Sequence, residues 1–234
     1  MDKISNLSDL FQIFDNQKAG WIMYFRGQAR DWPLKPWIAR STVSEQEREK
    51  EPECYKRLAS LLPTGTEWER ATIAQHYGIP TRLLDWSENP LVGLYFAIED
   101  GNHDNEDGVI WIFEDKTAIS KHLPSLLELD YPRPYRASKD LQFNIPRVYS
   151  QSGALTSQPS LSKTFDEHDF DKSTQSLRKY MIPKNKKKHL RSQLKILNVS
   201  KQKLFPDYLE FDNRRMVDLV GSCMRIRCEL FKIG

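Results

Sequence analysis

Residues 66–99, TEWERATIAQHYGIPTRLLDWSENPLVGLYFAIE, hold the densest set of local signals in the chain. Thr66 and Glu69 stand at capping-box spacing and start a helix, because each satisfies a backbone N–H that the first turn leaves without a partner. Gly78 tolerates the turn that stops this helix, and Pro80 has no N–H with which to continue it. A short strand follows over Thr81–Trp86. Asn89 reads as the N-cap and Pro90 as the first position of a second helix running to about Ile98. That helix is apolar on nearly every side, which predicts burial. The same block holds His76, Arg82 and Asp85. Ionisable groups beside so much apolar surface must be paired or functional, since a lone buried charge is costly.

Working outward, Leu7, Leu10, Phe11 and Phe14 predict an amphipathic helix over 5–16. Trp21–Arg26 (WIMYFR) reads as a strand, with Ile22, Tyr24 and Arg26 on one face and Met23 and Phe25 on the other. Pro33 and Pro36 make 28–42 irregular, and Val43–Leu62 reads as a helix. Val109–Phe113 (VIWIF) predicts a buried strand. Prolines at 124, 132 and 134 interrupt 114–143, leaving only 117–129 as a helical candidate. Asn144–Thr156 reads as a strand with a turn at Gly153. Residues 173–181 and 185–198 read as helices, Asp207 as the start of a helix to about Cys223, and 224–233 as a last strand. These elements predict one compact α+β domain over 1–234, with small mixed or antiparallel sheets flanked by helices.

Composition limits the function classes. No apolar run approaches the roughly 20 residues that span a bilayer, so no membrane partner is expected. The amino terminus, MDKISNLSDLF, lacks an apolar signal core. Three scattered cysteines (Cys54, Cys223, Cys228) suit reduced thiols, and with the plain amino terminus they predict a cytoplasmic protein. No Cys/His spacing matches a metal site, so no metal is expected. Net charge is only +3, yet Lys172–Pro206 carries eleven Lys/Arg and no acid. In that basic segment Lys184, Lys186, Lys187, Lys188, Arg191 and Lys195 are candidates for contact with nucleic acid or an acidic protein. The bland alternative is a solvated helix face. Aromatic interleaving is sparse, Tyr180 being the example, so any nucleic-acid contact would discriminate little between sequences.

Three groups of residues resemble the FRG domain family: YFRGQ at 24–28, HYGIPTRLLDWSENPLVGLYFA at 76–97, and the pair RVYSQSGALT at 147–156 with LFPD at 204–207. The resemblance spans about 5–223. Its family is widespread in bacteria and phages, which implies a role in phage–host conflict. The order of elements is also similar to ADP-ribosyltransferases of the Arg/Ser/Glu type. There an early strand ends in Arg, a strand then leads into an apolar helix, and a late strand carries the catalytic Glu. That similarity implies an ADP-ribosyltransferase-like fold with NAD or a related nucleotide as ligand. It places Arg26, Gly27, Gln28, Thr81 and Arg82 at the ligand. The strand expected over Arg147–Gln151 puts Gln151 where the Glu would stand. A Gln bonds a ribose hydroxyl but supplies neither charge nor base, and His76 or Asp85 are the candidates to take over.

The alternatives stay open at this point. Arg26 is either a phosphate ligand or one half of an internal ion pair with Asp85. His76 is either catalytic or a packed residue in the last turn of its helix. Gln151 is either a ligand group or a tie between backbone segments. Ideal alternation sends Arg82 and Asp85 to opposite faces, which argues against their pairing.

Overall fold

The computed structural model describes residues 2–15, 18–61, 65–116, 123–139 and 145–206, together with Cys223 and Ile226. In chain order the main elements are β1 (Asp2–Lys3), α1 (Leu7–Asp15), β2 (Ile22–Gln28), α2 (Glu45–Arg48), α3 (Glu51–Leu61), α4 (Glu67–His76), β3 (Leu84–Ser87) and α5 (Pro90–Ile98). They continue with β4 (Gly108–Asp115), β5 (Arg133–Tyr135), α6 (Pro146–Ser150), β6 (Gly153–Ser157), β7 (Gln175–Ile182), α7 (Lys184–Ile196) and α8 (Lys201–Leu204). The described strands join in one mixed seven-stranded sheet, ordered β1-β7-β4-β2-β3-β6-β5. Only the β1–β7 pair is parallel. The α+β class read from the sequence is the class of the fold.

The central block forms as its caps dictate. Thr66 Oγ1 accepts from the Glu69 N–H at 3.2 Å and the Glu69 carboxylate accepts from the Thr66 N–H at 2.8 Å. Gly78, at φ +83°, ends α4 in the left-handed region. Asn89 caps α5 through the Leu91 N–H, and Pro90 opens it. α5 then buries Val92, Leu94, Tyr95, Ala97 and Ile98 beneath the sheet.

Alternation along β2 divides two cores. Met23 and Phe25 pack with Ile110, Ile112 and the inner faces of α1, α5 and α7. Tyr24 packs on the other face with Trp111, Phe113, Trp86 and Phe165. A third core joins α3 and α4 to Leu83, Tyr135 and Leu155. The Phe-Arg-Gly element has a packing role as well. A Cβ on Gly27 would lie 1.9 Å from the Gly93 carbonyl oxygen, and one on Gly93 would lie 2.7 Å from Phe25 Cβ. α5 therefore crosses β2 backbone to backbone, a distance only glycine allows.

Several elements differ from the sequence reading. The single helix expected over 43–62 is two, α2 and α3. Pro52 lies in the first turn of α3, where its missing N–H costs nothing, and would have broken a continuous helix. Of the helix expected over 117–129, residues 117–122 lie outside the described residues and 123–129 are not helical. The Pro124 carbonyl accepts from Trp68 Nε1 at 2.9 Å, the Leu126 N–H donates to Glu67, and the Leu126 carbonyl accepts from Arg82. The strand expected over 147–151 is instead the helix α6. Pro146 starts it at the first helical position, and Ser152, at φ +47°, turns the chain into β6. The helix expected over 173–181 is the strand β7. Its charges misled the reading: Leu177 faces one core while Tyr180 and Ile182 face the other, a period of two. Arg178 and Lys179 keep their charges on that strand by bonding Glu114 at 2.9 Å and Asp31 at 2.6 Å. Asp207 and most of the last strand lie outside the described residues; Cys223 and Ile226 are helical.

Candidate functional site: a cleft where two strands part

β2 pairs with β4 over seven registered residues but with β3 at one, Phe25 opposite Ser87. Beyond that pair β2 and β3 diverge. A cleft of about 430 Å³ opens there. α4 contributes Thr72, Gln75 and His76 to one wall, and α5 contributes Val92 and Phe96. The floor is β3 and β6, and Arg147, Gln151 and Phe205 lie along a further side. A volume of this size falls within the range of small-molecule sites.

Arg26 is the residue that crosses the parting. Its Nη1 donates to the Asp85 carbonyl oxygen at 2.6 Å and lies 4.0 Å from the Asp85 carboxylate. Its side chain is only 15 % exposed, against 69 % for Asp85. Burial pulls the Arg26 pKa down, Asp85 opposes that pull, and Arg40 adds to it. Arg26 Nε is buried with no partner among the described residues. The ion pair with Asp85 and the place in the cleft are therefore compatible.

Arg40 and Arg147 bring two more guanidinium groups to the cleft. Arg147 lies over the Phe205 ring at 5.0 Å, and Phe205 meets Phe96 edge to face at 6.0 Å. Among the described lining residues the carboxylate is Asp85 alone, so three cations face one anion. Asp85 is held by Gln75, whose Nε2 donates to Oδ1 at 2.6 Å.

The remaining candidates divide. His76 and Gln151 line the same cleft as Arg26 and Asp85. The His76 ring packs edge-on against Tyr77 at 4.9 Å. Gln151 caps α6; its Nε2 donates to the Leu204 carbonyl at 2.9 Å, and its own carbonyl accepts from Ser87 at 2.6 Å. It ties α6, α8 and β3 together. Gly27 borders the cleft, while Gln28 is buried and accepts from Trp111 Nε1 at 2.9 Å. Thr81 is fully buried and donates to Gln75 Oε1.

Arg82 is not among the lining residues. It is buried against Glu51, with Nε–Oε1 at 2.9 Å and Nη2–Oε2 at 2.6 Å, and its Nη1 donates to the Leu126 carbonyl at 3.1 Å. The expectation that Arg82 joins Arg26 at the ligand is corrected: Arg82 stands in a bend before β3 begins at Leu84, and an acid on α3 takes its charge.

The basic helix is corrected in part. Lys187 is fully buried, its Nζ donating to the Ala29 and His103 carbonyls at 2.6 and 2.7 Å. Arg191 is bonded to Asp104 and to the Ile98 carbonyl. Lys184, Lys186, Lys188 and Lys195 stay exposed. Among the described residues no His/Cys/Asp/Glu group could hold a metal ion, and no helix is long and apolar enough to cross a membrane.

Sequence reasoning missed Gln75, Glu51, Arg40 and Arg147. Gln75 stands immediately before the 76–97 motif and falls in the same last turn of α4 as His76, which was the available signal. Glu51 had none, being 31 residues from Arg82.

No curated protein and no solved structure matches the chain. A family match does cover β2, α4, β3 and α5, the elements that carry Arg26, Gln75, Asp85 and most of the cleft floor. Residues 22–106 of this chain match the FRG domain family, and an FRG domain is present there.

Proposed function

We propose that the cleft binds a nucleotide, NAD or a related one. The observation that carries this reading is the parting of β2 from β3 around Arg26, with Arg40 lining the same cleft and Arg147 over the Phe205 ring, which meets Phe96. Guanidinium groups offer planar forks of donors to phosphate oxygens, and the rings offer apolar surface to a base. The order β2, β3, α5, β4 is similar to the first part of the ADP-ribosyltransferase order and favours the same ligand class, although the late strand of that order is the helix α6 here.

For NAD the reaction is loss of nicotinamide from the ribose. The bond from the ribose C1′ to the nicotinamide nitrogen breaks, its electron pair leaves with nicotinamide, and water or an acceptor nucleophile takes its place. Positive charge builds on the sugar, and a nearby carboxylate stabilises it. In this cleft that group is Asp85, because the Gln151 amide is neutral and bonded to Leu204. The product is ADP-ribose, free or attached to an acceptor. We place the activity in the cytoplasm, on the free thiols of Cys54 and Cys223, and in phage–host conflict by analogy with where the family occurs.

Titration of NAD by calorimetry, with nicotinamide release measured in parallel, tests this. Binding at or below millimolar NAD, weakened about tenfold or more by Arg26→Ala, is the expected result. Asp85→Asn is expected to remove nicotinamide release at saturating NAD. Absence of binding at millimolar NAD sinks the reading.

A second reading rests on Lys184, Lys186 and Lys188, exposed together at the amino end of α7. Cations there oppose the helix dipole, so a polyanion, nucleic acid or an acidic protein, would relieve them. DNA and RNA affinity that falls steeply with salt, and falls again when the three are replaced by Ala, is its expected signature. A flat salt response rejects it.

A further inference from the structure

The Gln75 side chain has a fixed sense. Thr81 Oγ1 accepts from the Leu83 N–H at 3.3 Å, which leaves the hydroxyl proton to go to Gln75 Oε1. Thr81 is fully buried and Gln75 partly so, which places this contact at the inner side of the cleft wall. With Oε1 engaged, the amide nitrogen is turned to Asp85 Oδ1 at 2.6 Å. A flipped amide would set Oε1 against Oδ1, acceptor to acceptor. The other carboxylate oxygen, Oδ2, stands toward Arg26 Nη1 at 4.0 Å, and the Asp85 side chain is 69 % exposed.

We infer that Gln75 is a positioning residue. Locked by Thr81, it holds Asp85 by Oδ1 so that Oδ2 and Arg26 together select an anion that also carries a hydroxyl over a bare anion. The inference rests on the nucleotide reading of the cleft and adds how that ligand is told from phosphate alone. A bare phosphate drawn to Arg26 meets the negative charge of Asp85 and is repelled. A sugar phosphate meets the same carboxylate with a hydroxyl, and repulsion becomes a charge-assisted hydrogen bond. The discrimination depends on where Oδ2 points, which Gln75 sets from the cleft wall and Thr81 from behind it.

The test titrates ADP-ribose and inorganic pyrophosphate by calorimetry. It uses the whole chain and the variants Asp85→Asn, Gln75→Ala, Thr81→Val and Gln75→Ala/Asp85→Asn, with folding followed by circular dichroism. The wild-type chain is expected to prefer ADP-ribose. Asp85→Asn should weaken ADP-ribose about tenfold and tighten pyrophosphate. Gln75→Ala and Thr81→Val should lower the ADP-ribose to pyrophosphate ratio in the same sense by a smaller factor. Gln75→Ala should change nothing further in the Asp85→Asn background. If Gln75→Ala unfolds, Gln75→Leu keeps the volume and takes its place. A merely structural role for Gln75 would weaken both probes together. A wild-type chain that binds both probes through Arg26, with a ratio unmoved by folded Gln75 and Thr81 variants, overturns this inference alone. Binding of neither probe overturns it together with the nucleotide reading.

Discussion

Arg82 and Glu51 meet in the interior as a two-point ion pair, Nε to Oε1 at 2.9 Å and Nη2 to Oε2 at 2.6 Å. Glu51 also accepts from the Tyr55 hydroxyl at 2.8 Å, and Arg82 reaches the Leu126 carbonyl. The most conspicuous charge of the RLLDW stretch thus joins α3, the approach to β3 and the 123–129 segment. Replacing Arg82 by Ala leaves a buried carboxylate without its partner and is expected to cost about 3–5 kcal/mol. Arg82→Lys should recover only part, because an ammonium cannot span both oxygens. Urea denaturation measures both, and a loss under about 1 kcal/mol for Arg82→Ala would reject the pairing as a structural lock.

Gly27 sets how closely α5 crosses β2. An added methyl would meet backbone on α5, the Gly93 carbonyl and the Ala97 nitrogen, which cannot rotate away. Gly27→Ala is expected to destabilise by about 3 kcal/mol or more, through backbone displacement. Gly20→Ala is the comparison for added bulk, since its Cβ has open space, though its φ of +79° carries its own strain. Thermal melting ranks the two, with Gly27→Ala expected to lose more.

Lys187 separates structure from surface charge within α7. Lys187→Ala removes the donor from the buried Ala29 carbonyl and the part-buried His103 carbonyl and leaves a void, at an expected cost of about 2–4 kcal/mol. Replacing Lys184, Lys186 or Lys188 should each change stability by about 0.5 kcal/mol or less. Chemical denaturation of the four single variants shows whether the basic run is one surface, as its composition suggests, or two kinds of lysine.

The buried thiols predict a loss of stability in alkali. Burial, with Glu51 nearby, pushes the Cys54 thiol up to about 12, and burial pushes Cys223 up to about 11, both from 9.0. A raised pKa means that the unfolded chain releases its protons first. Stability from these groups is complete below pH 9 and falls as pH rises toward 11 and 12. The slope approaches about 1.4 kcal/mol per pH unit for each thiol. Denaturation midpoints between pH 8 and 11 check this, and a Cys54→Ala/Cys223→Ala chain should show a flatter profile over the same window.

Legibility in the sequence followed the range of the interaction. The α4 cap at Thr66 and Glu69, the stop at Gly78 and the start of α5 at Asn89 and Pro90 each depend on atoms a few residues apart, and each was readable. The strands β2 and β4 were readable because their apolar residues outnumber everything else in them. β7 was not, since Arg178 and Lys179 look like a helix surface until Glu114, Trp111 and Asp31 are beside them. α6 was missed because RVYSQ favours a strand, while Pro146 before it and Ser152 after it set the opposite conformation.

The cleft divides along the same line. Arg26, His76 and Asp85 were found as ionisable residues set among apolar neighbours and Gln151 through the resemblance, and all four line it. Arg82 was found by the same signal and lies elsewhere. Sequence by itself determined the helix–strand–helix of 66–99, the class of the fold and the family of residues 22–106. Only the tertiary structure decided which charges answer one another, because Arg26 bonds a residue 59 positions away and Arg82 one 31 positions away. Electrostatic partners are chosen by distance in space, and no local propensity encodes a distance that folding creates.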